Sequence, residues 1–193
     1  METMEDGSVR MSFGEARQFY VNERLKMLTE SRNQLLTEES VIASSQKRKY
    51  TGEPYIVHPV EVSEIVAWHN GSKEMIAAAL LHDTVEDTDV TIDDIRNEFG
   101  NAVALLVDDL TDVSKLEDGN RATRKAMDRD HTANASAAAM VIKAADLISN
   151  SKSIAEHDPK FAKVYFEEKR ALLDVMFKIK HTDIFKEAQE LTK

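Results

Sequence analysis

Residues 78–90 read AALLHDTVEDTDV, an apolar helix-forming stretch that turns abruptly acidic. Its first polar side chains, His82 and Asp83, stand side by side, and Glu86 and Asp87 follow Asp83 at helical spacing. Like charges three and four residues apart on a helix repel one another. A chain that ends a hydrophobic segment on an imidazole and a group of carboxylates needs a positive charge among them. One divalent cation would supply it, and imidazole with carboxylate is a donor mix suited to manganese or iron. Carboxylates beyond the ion's own donors are then free to move protons.

The dipeptide alone decides little. His157-Asp158 is a second His-Asp pair, but it lies in AEHDPK, directly before Pro159, where a polar helix break accounts for it. A calcium loop is the rival for the acidic run, since Asp87, Asp89, Thr91, Asp93 and Glu98 fall at positions one, three, five, seven and twelve of that template. It fails at position six, where Ile92 stands in place of the glycine a sharp turn requires.

Around this stretch the composition is that of a globular helical protein. The 193 residues are 42% hydrophobic and 31% charged, with only six Gly and three Pro. A formal net charge of −10 argues against a general nucleic-acid binder or a membrane-surface protein. Cysteine is absent, which excludes disulfides and thiolate metal sites. The start, METMEDGSVR, lacks the apolar core of a secretory signal, and the longest apolar run, MIAAALL, falls far short of the roughly 20 residues a membrane helix needs. A cytoplasmic protein is expected, and nothing in the sequence fixes an oligomeric state.

Helical segments are predicted over about Phe13–Glu30 and Asn33–Gln46, then from Pro59 to HNGS and from Lys73 to about Asp83. Further helices are predicted from Thr91, after Gly100, over Arg121 to about His131, over Ser136 to about Glu156, and from Pro159, with Asp183 capping a short last one. No repeat or linker composition interrupts them. The expected fold class is all-α, a single domain over 1–193.

Two further regions carry candidate chemistry. QKRKYTGEPYIVHP, residues 46–59, holds the basic cluster Lys47, Arg48 and Lys49, isolated in an acidic chain and suited to clamp phosphate, and it ends at His58. AMVIKAADLISN, residues 139–150, has an apolar stripe of Met140, Val141, Ala144, Ala145 and Ile148. Lys143, Asp146 and Asn150 share its other side, yet Ile142 and Leu147 flank that polar strip, so the helix is apolar nearly all round and expected to be buried. A buried Asp needs a partner, and a metal ion is one.

His58, His82-Asp83 and Asp146, in that order, resemble the H…HD…D metal pattern of HD-domain phosphohydrolases. More narrowly, QKRKYTGEPYIVHP, ALLHDTVEDTD and IKAADLISN resemble the alarmone (ppGpp) hydrolase domain of the RelA/SpoT family, in particular its stand-alone small hydrolases, over roughly residues 33–156. The resemblance implies an all-helical HD bundle, with helices over 158–193 following the motif core. It implies an enzyme that removes the 3′-pyrophosphate of ppGpp or pppGpp with Mn²⁺. It assigns His58, His82, Asp83 and Asp146 as metal ligands and Glu86 and Asp87 as the acidic pair that assists hydrolysis. Substrate contacts are then expected from Lys47, Arg48, Lys49, Tyr55, Lys143 and Asn150, with Arg121 and Arg124 as further phosphate contacts.

The chain departs from the family where Ala43 and Ser45 precede Gln46, and where Leu147, Ile148 and Ser149 replace the Arg-Leu-His of the long regulatory enzymes. The stretch after Asn150 is too short for the family's synthetase domain, so hydrolysis alone is expected. The alternatives are an HD phosphohydrolase acting on another nucleotide, such as a nucleoside phosphate or NADPH, and a non-catalytic alarmone-binding module.

Overall fold

Ser72, Thr91, Asn120, Ser136, Asp158 and Thr182 each stand immediately before a helix, and each side chain accepts a hydrogen bond from the backbone N–H three residues on. These contacts satisfy N–H groups that a helix start leaves without partners, so the polar punctuation of the sequence sets where the helices begin. The computed structural model describes residues 47–193 and two short strands near the N-terminus. Its helices are α1 (Val57–Trp68), α2 (Lys73–Leu81), α3 (Thr84–Asp87), α4 (Ile92–Phe99) and α5 (Asn101–Leu110). They continue as α6 (Arg121–Asn134), α7 (Ala137–His157), α8 (Pro159–Val175) and α9 (Asp183–Leu191).

The contact pattern divides the chain into two units, Met1–Val41 and Ile42–Lys193. In the first, β1 (Glu2–Thr3) and β2 (Val9–Arg10) pair antiparallel with Glu2 opposite Arg10. The helices predicted over about 13–30 and 33–46 lie outside the described residues. The second unit is the all-α bundle that the sequence predicts.

Helix α7 is its axis, packing against α1, α2, α5, α8 and α9. Met140, Ile142, Ala144, Ala145, Leu147 and Ile148 are all fully buried, on every side of the helix, as the nearly continuous apolar pattern requires. Ile76, Ala78 and Ala79 of α2 and Val62 and Val66 of α1 complete this core beside it. Where α1 turns into α2, Asn70 adopts a left-handed conformation at φ 60°, one that Asn tolerates. Gly71 comes next because any Cβ there would lie 2.9 Å from the carbonyl oxygen of Val66. Among the described residues no helix is long and apolar enough to cross a membrane.

Some boundaries differ from the sequence prediction. Helix α2 stops at Leu81, two residues short of Asp83, and α6 continues to Asn134. The cap of α9 is Thr182, whose Oγ1 accepts from Phe185 N at 3.4 Å. Asp183 is instead the first helical residue, where its charge suits the positive end of the helix dipole. The rejected calcium loop is replaced by a capping box: Asp94 N donates to Thr91 Oγ1 and Thr91 N to Asp94 Oδ2, with Ile95 buried behind them.

Candidate metal centre and substrate cavity

His82 and Asp83 sit in the joint between two helices. His82 is the C-cap that follows α2, and Asp83 precedes α3, its carbonyl accepting from Asp87 N at 3.0 Å. The helix break turns both side chains toward α1 and α7. There they meet His58, in the first turn of α1, and Asp146, midway along α7.

His58 Nε2 lies 3.1 Å from Asp146 Oδ1 and 3.8 Å from Asp83 Oδ2. His82 Nε2 lies 3.1 Å from Asp83 Oδ2 and 3.8 Å from Asp146 Oδ1. Donor atoms of His58, His82 and Asp83 all fall within 4.8 Å of one another. Asp146 touches both imidazoles from the α7 side. Residues from three separate segments of the chain therefore converge.

The surroundings point each donor inward. His82 Nδ1 donates to the carbonyl of Ala79 at 2.8 Å, which leaves Nε2 facing the cluster. His58 Nδ1 is 3.0 Å from Ser149 Oγ, leaving its Nε2 to face the same centre. Tyr55 donates its hydroxyl to Asp83 Oδ2, and Asn150 Nδ2 donates to Asp146 Oδ1 at 2.7 Å. Outer partners of this kind fix ring orientation and tautomer in metal sites.

His82 Nε2 is the clearest sign that the group suits a cation. It is buried and makes no hydrogen bond among the described residues, although Asp83 Oδ2 lies 3.1 Å away. Burial alone would lower the pKa of this imidazole. Asp83 and Asp146 outweigh that and push it up to about 9. Asp146 feels the opposite pull: burial would raise its carboxyl, but His58, His82 and Lys169 hold it well below the usual carboxylate range. Asp83 is lowered in the same way against its burial, chiefly by His82. Burial and the neighbouring Asp83 drive the Tyr55 phenol far up, so it remains a donor. Two inward imidazoles and two ionised carboxylates fit a divalent cation well.

Glu86 and Asp87 lie on the exposed side of this group. Glu86 Oε1 accepts from the backbone N–H of Asp112 at 2.7 Å. Burial raises the pKa of Glu86 against the pull of the Asp112 N–H and Lys143, with the carboxylates of Asp112 and Asp83 adding to the rise; Asp87 is raised by burial and then by Asp83. A carboxyl whose pKa is raised toward neutrality is suited to exchanging protons.

A cavity of about 660 Å³ opens beside Asp146, with Lys125, Lys143, Lys169, Asn150 and Tyr165 in its wall. A second, of about 450 Å³, is lined by Lys47, Arg48, Lys49, Tyr50 and Tyr55 and shares Asn150 and Ile154 with the first. Asn150 joins the two: Arg48 Nη2 donates to its Oδ1 at 3.3 Å while its own amide reaches Asp146. Lys47 and Lys49 are exposed, and Lys49 Nζ lies 3.3 Å from Tyr50 Oη.

Of the other cations predicted from sequence, Lys143 and Arg121 are already engaged. Lys143 Nζ donates to Leu110 O at 3.1 Å and reaches Asp112 Oδ1 at 3.4 Å. Lys125 Nζ lies 2.9 Å from Asp112 Oδ2, and the two lysines hold the Asp112 carboxyl down at about 2 despite its burial. Arg121 forms a two-point ion pair with Glu168 at 2.7 and 2.8 Å and stands over the Phe161 ring. Arg124 lines a smaller third cavity with Glu86.

Lys125, Lys169, Tyr165 and Ser149 were not apparent from the sequence. The four-residue spacing of Tyr165 and Lys169 on one face of α8 was the available signal for that pair. His157-Asp158 behaves as the helix break the proline implies, with Asp158 closing α7 and capping α8.

Comparison with known proteins agrees with this geometry. The model of the HD domain family matches residues 37–172, and the chain belongs to that family. HD domains imply a divalent metal, and the His58, His82, Asp83 group meets that requirement. The "Guanosine-3′,5′-bis(diphosphate) 3′-pyrophosphohydrolase" of Aquifex aeolicus is 51% identical over 72 residues, 37% of this chain and 10% of that protein. The "Guanosine-3′,5′-bis(diphosphate) 3′-pyrophosphohydrolase MESH1" of Danio rerio is 40% identical over 106 residues, 53% of this chain and 57% of that one. The chain spans only 10–13% of the length of the first curated relatives it matches. A solved structure described as "A metazoan ortholog of SpoT hydrolyzes ppGpp and plays a role in starvation responses" aligns over 95% of this chain and 96% of its own. Its TM-score is 0.69 at 24% identity, a likeness of fold.

Proposed function

We propose that the chain is a Mn²⁺-dependent guanosine-3′,5′-bis(diphosphate) 3′-pyrophosphohydrolase, converting ppGpp to GDP, or pppGpp to GTP, with release of pyrophosphate. It would act by hydrolysis alone, as one HD-type unit over 1–193 in the cytoplasm, within the stringent response. The observation that carries this reading is the convergence of His58, His82, Asp83 and Asp146 with their donor atoms inward. The names of the Aquifex and Danio relatives supply the substrate class.

In this reading His58, His82, Asp83 and Asp146 hold the cation. A divalent ion supplies Lewis acidity, lowering the pKa of water and drawing charge from a phosphoryl oxygen. Glu86 and Asp87 handle the protons, because water adding across the bond between phosphorus and the 3′ oxygen loses one proton and the departing oxygen gains one. Their raised pKa values suit that exchange. Lys47, Arg48, Lys49 and Tyr55 line one side of the substrate's path and Lys143 the other, with Asn150 between them. Cations in both walls offset the acidic character of a site that would otherwise repel a polyphosphate.

The test is incubation of the pure protein with ppGpp and Mn²⁺ and subsequent chromatography of the products. GDP and pyrophosphate are expected, and Asp83→Ala should abolish both. A Mn²⁺-loaded protein that releases no pyrophosphate from ppGpp would overturn the proposal. A parallel panel of nucleoside phosphates and NADPH distinguishes an HD phosphohydrolase of other substrate choice, and nucleotide binding without turnover would mark a binding module.

A further inference from the structure

Of the two inward-pointing imidazoles, His58 is the one held from behind by two side chains in series. Ser149 is buried at 2% exposure and lies three residues beyond Asp146 on α7. Its hydroxyl donates to Glu61 Oε2 at 2.7 Å, and its oxygen stands 3.0 Å from His58 Nδ1. A serine hydroxyl has one hydrogen. With that hydrogen committed to Glu61, Ser149 Oγ can only accept from His58, so the imidazole proton sits on Nδ1. With a cation in the site, Nε2 is then the nitrogen that presents its lone pair, and it lies 3.1 Å from Asp146 Oδ1.

Glu61 sets the polarity of this chain of contacts. Without an acceptor at Glu61, the Ser149 hydroxyl is free to rotate and donate to Nδ1. The imidazole proton would then move to Nε2, into the space a cation must occupy. Glu61 sits three residues beyond His58 on α1, and its other oxygen lies 3.9 Å from Lys152 Nζ, three residues beyond Ser149 on α7. Each of the two helices thus supplies one metal donor and one residue of the relay.

We propose that Ser149, backed by Glu61, is a positioning residue that locks His58 in its Nδ1–H form and thereby sets the affinity of the site for a divalent cation. This rests on the metal-dependent reading of the site but not on the identity of the substrate. It assigns a role to two residues that the H…HD…D pattern does not contain.

The experiment measures Mn²⁺ affinity by calorimetry on the full chain after chelator treatment and dialysis. It compares wild type with Ser149→Thr, Ser149→Val and Glu61→Ala, and records the metal-free melting temperature of each. Thr and Val have nearly the same shape and differ in the hydroxyl. Loss of an outer partner of a metal-bound histidine weakens affinity by about 10- to 100-fold. Ser149→Val and Glu61→Ala should show that loss, with Ser149→Thr within a few-fold of wild type. Metal-free melting temperatures should not track the affinities.

Equal Mn²⁺ affinity for the Thr and Val variants overturns the proposal, as does unchanged affinity in Glu61→Ala. A metal-free melting temperature that falls in step with affinity also overturns it, since the role is then only structural. Glu61 is partly exposed, so its variant decides the matter even where a change at the buried Ser149 prevents folding. Full Mn²⁺ affinity in a wild-type protein that leaves ppGpp intact overturns the proposed substrate and leaves this relay standing. Absence of cation binding by wild type overturns both.

Discussion

If the proton that His82 carries in the metal-free protein must leave before Nε2 can serve as a donor, metal affinity should depend steeply on pH. Asp83 and Asp146 push the pKa of this imidazole up to about 9. Between pH 6 and 8 the ring is then protonated almost throughout, and each unit of pH releases the same cost. The apparent affinity for Mn²⁺ should therefore rise about tenfold per unit, or roughly a hundredfold from pH 6 to 8, equivalent to about 2.7 kcal/mol. An imidazole at its ordinary value of about 6.5 would gain only about fourfold over the same range, nearly all of it below pH 7. Asp83 and Asp146 are held low and are ionised throughout this window, so they contribute no protons. Calorimetry at pH 6, 7 and 8, in two buffers of different ionisation enthalpy, gives both the affinity and the number of protons released. Close to one proton per ion at pH 8 is expected. A gain of fourfold or less, with no proton released at pH 8, would refute the account of His82 as a proton-filled donor.

The same shift makes the metal-free protein sensitive to alkali. A raised imidazole contributes stability that is complete below its unfolded pKa near 6.5 and is lost as pH rises through about 9. The chelated protein should lose stability of order 3 kcal/mol across that window, and a flat melting temperature from pH 6.5 to 9.5 would contradict it. Glu86→Gln keeps an oxygen for the Asp112 N–H but cannot exchange a proton. Mn²⁺ affinity should stay near wild type while turnover falls about 10²- to 10⁴-fold, and unchanged turnover would remove Glu86 from the mechanism. Met140 is fully buried at the centre of α7, so Met140→Ala should cost about 2–5 kcal/mol in urea unfolding; a loss under 1 kcal/mol would mean the core closes around the gap.

Much of this molecule is legible along the chain because its signals are local. Ser72, Thr91, Ser136 and Pro159 mark helix starts through bonds and backbone angles that reach three residues or fewer, and the structure places those starts as predicted. The apolar pattern of 139–150 likewise announces that α7 is buried on all sides. Where the sequence misleads, the deciding contact is side-chain detail: helix α2 stops early as the His82 ring turns back onto the Ala79 carbonyl. At α9 two adjacent residues could each have capped, and Thr182 does so rather than Asp183. The roles of Lys125 and Lys169 arise only when α6, α7 and α8 are brought together, and that of Ser149 only when α1 meets α7, so no single segment encodes them in full. Lys143 teaches the converse, since its placement on the polar strip was visible but its engagement with Asp112 depends on a loop that arrives from another helix.

The joint at His82-Asp83 also bears on how the protein can vary. One donor closes a helix and the next opens another, so the interval between them is fixed by a single peptide link. Lengthening the connection at 115–119 need not disturb the grip on the ion, for Asp112 and Ser114 before it are already anchored to Lys125, Lys143 and Asp128. One residue inserted between His82 and Asp83 would rotate α3 with its acidic pair and separate two neighbouring donors. Tolerance to changes in chain length should therefore collapse at this link while staying broad in the loops, a contrast that a scan of single-residue insertions would map directly.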